Sequence, residues 1–129
     1  FMYKVNSFFQ KIFHLIVLLL ILLYLYPGSI LGFLIYGDFR FQPQILDDSI
    51  YFSFNHFFTF CLVSCLGFFS YLNTSKFRFV TFYLFFLSFI LEILHILIPE
   101  RSFQFSDLAG NVLGVLMIYC IVFIYNLRK

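Results

Sequence analysis

Between Lys11 and Asp38 the chain carries no charged side chain, and Ile12–Tyr26 is apolar almost without a break. A helix of about 20 mostly apolar residues is what it takes to cross a bilayer. In lipid, every backbone polar group must also be satisfied within its own segment. Three further runs of similar length follow, so the question is whether any soluble fold could absorb them. A globular domain carries about 25% charged residues to cover its surface. This chain of 129 residues has 11% charged and 63% hydrophobic residues, with a mean hydropathy of +1.00. That excludes a soluble enzyme, a nucleic-acid-binding domain and a disordered tail. The formal charge of +2 gives no reason to expect a polyanionic partner. The chain is expected to live in a membrane.

The expected architecture is all-α, a single domain over residues 1–129 forming a bundle of four transmembrane helices. The spans are read at about 10–27, 53–72, 79–98 and 107–125. Pro27 and Gly28 interrupt the first, leaving Ser29–Tyr36 as a partly buried extension at the interface. Lys4 and Lys11 before an apolar core also fit a cleaved signal peptide. No small-x-small site follows Tyr26, so a retained anchor is expected. An outer loop covers about 37–52, with Asp38, Arg40, Pro43, Asp47 and Asp48. Asn73–Lys76 is a turn, Pro99 closes the third span, and Glu100–Ser106 is a brief connection.

Orientation follows from the excess of Lys and Arg in cytoplasmic loops. Four spans put the N-terminus, the 73–76 turn and the C-terminal tail on one side. That side holds Lys4, Lys11, Lys76, Arg78, Arg128 and Lys129; the other holds Arg40 and Arg101. Both termini are therefore expected in the cytoplasm, with the acidic loop outside. With 23 Phe and a single Ala, close helix contact falls to the few small residues. Gly110 and Gly114 give such a packing face on the fourth span. Cys61, Cys65 and Cys120 have no metal spacing and are odd in number; Cys61 and Cys65 read as small packing residues.

Polar residues placed in hydrocarbon against their cost carry the functional signal. Glu92 lies inside the third span, roughly 10 Å below its outer end at 1.5 Å per residue. His95 follows on the same helix face. Topology brings Asn55, His56, Glu92, His95, Arg101, Asp107 and Asn111 to a similar depth near the outer leaflet. Each also has a plainer role: Asp107, preceded by Ser106, as a helix cap, Arg101 as a headgroup or solvent contact, His56 as an interfacial histidine, Glu92 as an interhelical hydrogen-bond partner. Glu92-x-x-His95 matches one element of di-iron bundles, which need two such elements and two further Glu. No metal set, cofactor site or catalytic triad is expected.

The stretch Leu91–Met117, LEILHILIPERSFQFSDLAGNVLGVLM, resembles the VanZ-like family of small bacterial membrane proteins. The family pattern is Glu, a Gln three residues on, Pro-x-Arg, Asp, an Asn four later and a Gly three beyond. Here these read Glu92, His95, Pro99, Arg101, Asp107, Asn111 and Gly114. Asn55-His56-Phe57 resembles the family's His-Phe at the start of the second helix. His95 replaces the usual Gln, and Phe52 stands where an Asp commonly precedes the His. The resemblance implies a multi-helix fold in the bacterial inner membrane and a polar outer-leaflet cluster. It implies no reaction: the family is named for a protein linked to low-level teicoplanin resistance and has no agreed chemistry.

The reading favoured by the residues is a non-catalytic cell-envelope protein whose cluster is structural or binds an envelope lipid. Two alternatives stand: an accessory subunit of a larger membrane complex, and an intramembrane enzyme on a lipid-linked phosphate. Membrane lipids are the expected partners, and nucleic acid is not.

Overall fold

The computed structural model describes residues 2–47 and 51–128; Asp48 and Lys129, used in the charge comparison above, lie outside them. The described chain is helical throughout, without strands. Helix α1 spans Met2–Leu25, α2 Ile30–Tyr36, α3 Phe54–Tyr71, α4 Phe77–Leu94 and α5 Phe105–Leu127, with a 3-10 turn at His95–Leu97 after α4. Four segments are long and apolar enough to cross a membrane: Ser7–Leu25, Phe54–Tyr71, Phe77–Leu97 and Phe105–Leu127. This is the four-helix membrane bundle expected from the sequence.

The differences lie at the ends. Helix α1 begins well before residue 10, because no Pro or Gly stands ahead of the apolar run and helix does not stop where hydropathy does. It ends at Leu25, since a residue next to proline is pushed out of the helical region and Pro27 follows Tyr26. The segment read as a partly buried extension is instead a separate short helix, α2. Its start is capped by the Ser29 hydroxyl, which accepts from the Gly32 N–H at 2.9 Å. Its end is Gly37 at φ 72°, the left-handed C-cap that favours glycine. Within α2 only Gly32 is buried, while Leu34 and Ile35 are exposed. The outer loop continues from it and carries an exposed Asp38–Arg40 ion pair at 3.2 Å. Hydrogen bonds from Arg40 hold the Asp38 carboxyl below its usual pKa.

Helices α3 and α4 touch each other, and both α1 and α5 pack against this pair. Helix α1 turns Phe13, Val17, Leu20 and Tyr24 inward, one stripe at alternating spacings of four and three. Its other faces expose Leu15, Leu18, Leu19 and Leu22, as expected of a surface solvated by lipid rather than water. Leu84, Leu87 and Leu91 of α4, Phe60, Val63 and Phe68 of α3 and Val115 of α5 complete the core. The start of α1 lies beside the end of α3, where Gln10 donates to the Ser70 carbonyl at 3.2 Å. Cys61 is buried, with Sγ 3.6 Å from the Gly114 carbonyl. Cys65 is exposed on the outer face of α3, so of the pair only Cys61 is a packing residue.

Helix α5 meets α3 through small residues. A Cβ on Gly114 would stand 2.6 Å from the Phe57 carbonyl oxygen and 2.9 Å from Phe60 Cβ; one on Gly110 would stand 2.6 Å from the Ser53 carbonyl oxygen. Gly67 is crowded as well, but its nearest neighbour is the ring edge of Phe13, at 2.7 Å. A ring can rotate, and a helix backbone cannot. Gly114→Ala is therefore expected to cost about 1–3 kcal/mol and Gly67→Ala clearly less, read from thermal unfolding in detergent. Equal losses would mean that α5 shifts freely on α3.

Candidate functional site

The chain after α4 builds one end of the bundle. Ile98-Pro99-Glu100-Arg101 is a tight turn closed by Arg101 N–H to the Ile98 carbonyl at 3.2 Å. Glu100 sits at φ 62°, the position that a type II turn normally gives to glycine. The turn folds Ser102–Gln104 back over the end of α4, so Glu92 is roofed by the connection rather than sunk mid-helix. The α-helix itself stops at Leu94, closer to Glu92 than the expected end at 98. Glu92 is completely buried. Its Oε1 accepts the Gln104 N–H at 2.9 Å, which places the carboxylate at the N-terminus of α5, where the helix dipole favours negative charge. Its Oε2 lies 3.1 Å from His95 Nδ1, but the pair is not aligned as a hydrogen bond.

Asn111 is the hub. Its Oδ1 accepts from the Tyr24 hydroxyl at 2.9 Å and lies 3.0 Å from His56 Nδ1. Its Nδ2 donates to the Ser88 carbonyl at 3.2 Å. One fully buried amide on α5 thus joins α1, α3 and α4. Tyr24 also lies 3.1 Å from His56 Nδ1 and stacks on His95, with ring centroids 5.8 Å apart. His95 Nε2 lies 3.0 Å from the Tyr24 carbonyl oxygen. His56 Nε2 faces Asp107 Oδ2 at 3.5 Å. Helix α5 starts at Phe105 behind Gln104, with Asp107 in its first turn; the expected Ser106-Asp107 cap is therefore inside the helix.

Arg101 has a specific task. Its Nε donates to the Tyr26 carbonyl at 3.2 Å, and Nη2 donates to the Leu23 and Gly28 carbonyls at 3.1 and 2.6 Å. These are the open carbonyls at the C-terminus of α1 and the bend beyond it. Burial lowers the guanidinium pKa, and the nearby Glu92 and Asp107 carboxylates act against that shift; it remains a cation. Asn55 works outward: its Nδ2 donates to the Pro43 carbonyl at 2.6 Å and its Oδ1 accepts from Ile45 N–H at 2.9 Å. It fastens the outer loop to the start of α3.

Of the residues singled out in the sequence, His56, Glu92, His95, Asp107 and Asn111 therefore meet in one cluster, Arg101 borders it, and Asn55 clamps the loop beside it. Sequence reading missed Tyr24, Ser88 and Gln104. Tyr24 was findable, since it continues the inward stripe of Phe13, Val17 and Leu20. The backbone groups of Ser88 and Gln104 leave no trace in residue identity.

Openings reach this end from several sides, one of about 450 Å³ beside Pro27, Phe39 and Arg101. A cavity of about 90 Å³ is lined by the apolar Leu20, Leu23, Ile30 and Leu31 and by the polar Gln42, Asn55, His56, His95 and Arg101. Through Leu20, Leu23 and Thr59 it adjoins an apolar groove between α1 and α3, lined also by Ile16, Leu19, Leu62 and Val63. A further cavity, about 290 Å³, opens over His56, His95 and Asp107. No family model, curated protein or solved structure matches the chain.

Proposed function

We propose that the chain is a non-catalytic, VanZ-like protein of the bacterial inner membrane that holds an envelope lipid by its phosphate headgroup. The supporting observation is the amphiphilic shape of the groove. An acyl chain fits the apolar channel between α1 and α3, and the headgroup then falls among Gln42, Asn55, His56 and Arg101. Among the hydrogen bonds of the described residues, none uses Arg101 Nη1, which leaves a cationic donor for a phosphate oxygen. The family reading rests on the Leu91–Met117 pattern, and its residues are those that form the cluster.

Mass spectrometry of lipids retained through purification in mild detergent tests the reading. A phospholipid or isoprenoid phosphate is expected with the wild-type protein and lost in Thr59→Trp, which fills the junction between cavity and groove. Equal lipid content in both proteins would refute it. The outward orientation is part of the proposal: in intact cells, a cysteine at Gln44 is expected to react with an impermeant thiol reagent and one at Ser75 to be protected. The accessory-subunit reading has its own support, because only 17% and 22% of the spans in α1 and α5 are buried. A fixed set of larger subunits co-purifying with the protein would favour it.

A further inference from the structure

The hydrogen bonds around the two histidines fix one N–H on each ring. Asn111 cannot be turned over, because its Nδ2 donates to the Ser88 carbonyl while Tyr24 donates to its Oδ1. His56 Nδ1 faces that same Oδ1 at 3.0 Å, an atom that only accepts, so Nδ1 carries the hydrogen. The other ring nitrogen, Nε2, faces Asp107 Oδ2, 3.5 Å away. His95 repeats the pattern: Nε2 donates to the Tyr24 carbonyl, and Nδ1 faces Glu92 Oε2. The second ring nitrogen of each histidine is thus turned toward a carboxylate. Glu92 is fully buried, and its Oε2 makes no hydrogen bond. A buried carboxylate oxygen without a hydrogen bond is costly, and a bound cation would offset that cost.

We propose that His56, Glu92 and Asp107 bind one divalent first-row transition-metal cation. A ring nitrogen of His56 and one oxygen from each carboxylate all lie within 4.8 Å of one another. Bonds to such an ion run about 2.0–2.2 Å, so small side-chain adjustments close the site. An imidazole with two carboxylates and no thiolate suits Zn²⁺, Mn²⁺ or Fe²⁺. The support a metal-binding histidine normally has is already built, since His56 gives its other ring N–H to Asn111. Gln104 N–H likewise holds Glu92 by Oε1. Charge agrees: two of the three ligands are carboxylates, and among the described residues lining the cavity over them Arg101 is the one Lys or Arg. The 290 Å³ cavity over His56 and Asp107 gives an ion a way in. The site uses Glu92 without the Glu-x-x-His element, because the partners come from α3 and α5. That is why residue spacing along α4 argued against a metal. The inference does not depend on lipid binding, and either can fail alone.

The test is Zn²⁺ titration of the full-length protein in detergent after chelator treatment, read by calorimetry and by metal content. One Zn²⁺ per chain is expected. Asp107→Asn and Glu92→Gln should each weaken binding by about 100-fold or more, taking second-sphere losses of about 10–100-fold as the lower reference. Asp38→Asn, in the outer loop, should bind like wild type. Wild-type protein without stoichiometric Zn²⁺, or unchanged affinity in the two variants, overturns the site. If those variants do not fold, Mn²⁺-loaded His14→Gln protein decides by pulsed electron paramagnetic resonance. Nitrogen coupling from a bound imidazole supports the site, and its absence overturns it.

Discussion

Asn111→Leu is expected to be among the most damaging single substitutions in the chain, although leucine matches asparagine in size and suits a membrane helix. The change removes the fully buried partner shared by the Tyr24 hydroxyl, His56 Nδ1–H and the Ser88 carbonyl; Tyr24 and His56 are left with each other, 3.1 Å apart, and the Ser88 carbonyl keeps its place inside α4. Interhelical hydrogen bonds in membranes average only about 0.6 kcal/mol, but that figure describes partners that find substitutes. Here Tyr24 and His56 can turn only to each other, which leaves a buried polar group short of a partner at about 1–3 kcal/mol, and a loss of that size is expected in detergent unfolding. Asn111→Asp separates acceptor from donor. It keeps an oxygen for Tyr24 and His56 but sets another against the Ser88 carbonyl, and it should also destabilise. Wild-type stability in Asn111→Leu would show that the hub is not what joins the helices.

Arg101→Leu should have a comparable effect at a different place. It removes three donors from the carbonyls of Leu23, Tyr26 and Gly28 and a cation from the C-terminal end of α1. The dipole contribution is about 0.3–1 kcal/mol; charge-assisted hydrogen bonds contribute about 1.5–3 kcal/mol each, reduced here by partial exposure. A total near 3 kcal/mol is expected. Limited proteolysis should show new cleavage around 26–29, where the backbone loses its anchor. Arg101→Lys should recover only part of the loss, because an ammonium cannot reproduce the planar fork that spans separate carbonyls. Full recovery would reduce the role of Arg101 to charge alone.

The bundle was legible because lipid imposes one simple rule on each span, and Ile12–Tyr26 obeys it openly. The boundaries were less so. Hydropathy marks how much chain sits in hydrocarbon, whereas α1 continues through polar residues and α2 exists because of a Ser29 cap and a Gly37 stop. The cluster could be anticipated because Glu92, His95 and Asn111 are costly in lipid wherever they point. Their partners were not, since Asn55 is spent on a carbonyl and an N–H of the outer loop and Arg101 on the end of α1. Which acceptor a long polar side chain reaches depends on backbone bends around Pro27 and Pro99, and these are set by packing rather than by residue type.

The Asn111 hub also bears on how the chain assembles during synthesis. Helix α5 leaves the ribosome after α1, α3 and α4, and it brings both the amide that joins them and the glycines that let it lie against α3. Until it arrives, Tyr24, His56 and Ser88 lack their common partner, and no pairing of the earlier helices supplies it. A nascent chain held at the three-helix stage can already form the apolar core that α1, α3 and α4 share, but its polar end is expected to stay loosely joined. Docking of α5 is the committing step, so a truncation before Gly110 should shorten cellular half-life far more than its lost mass suggests.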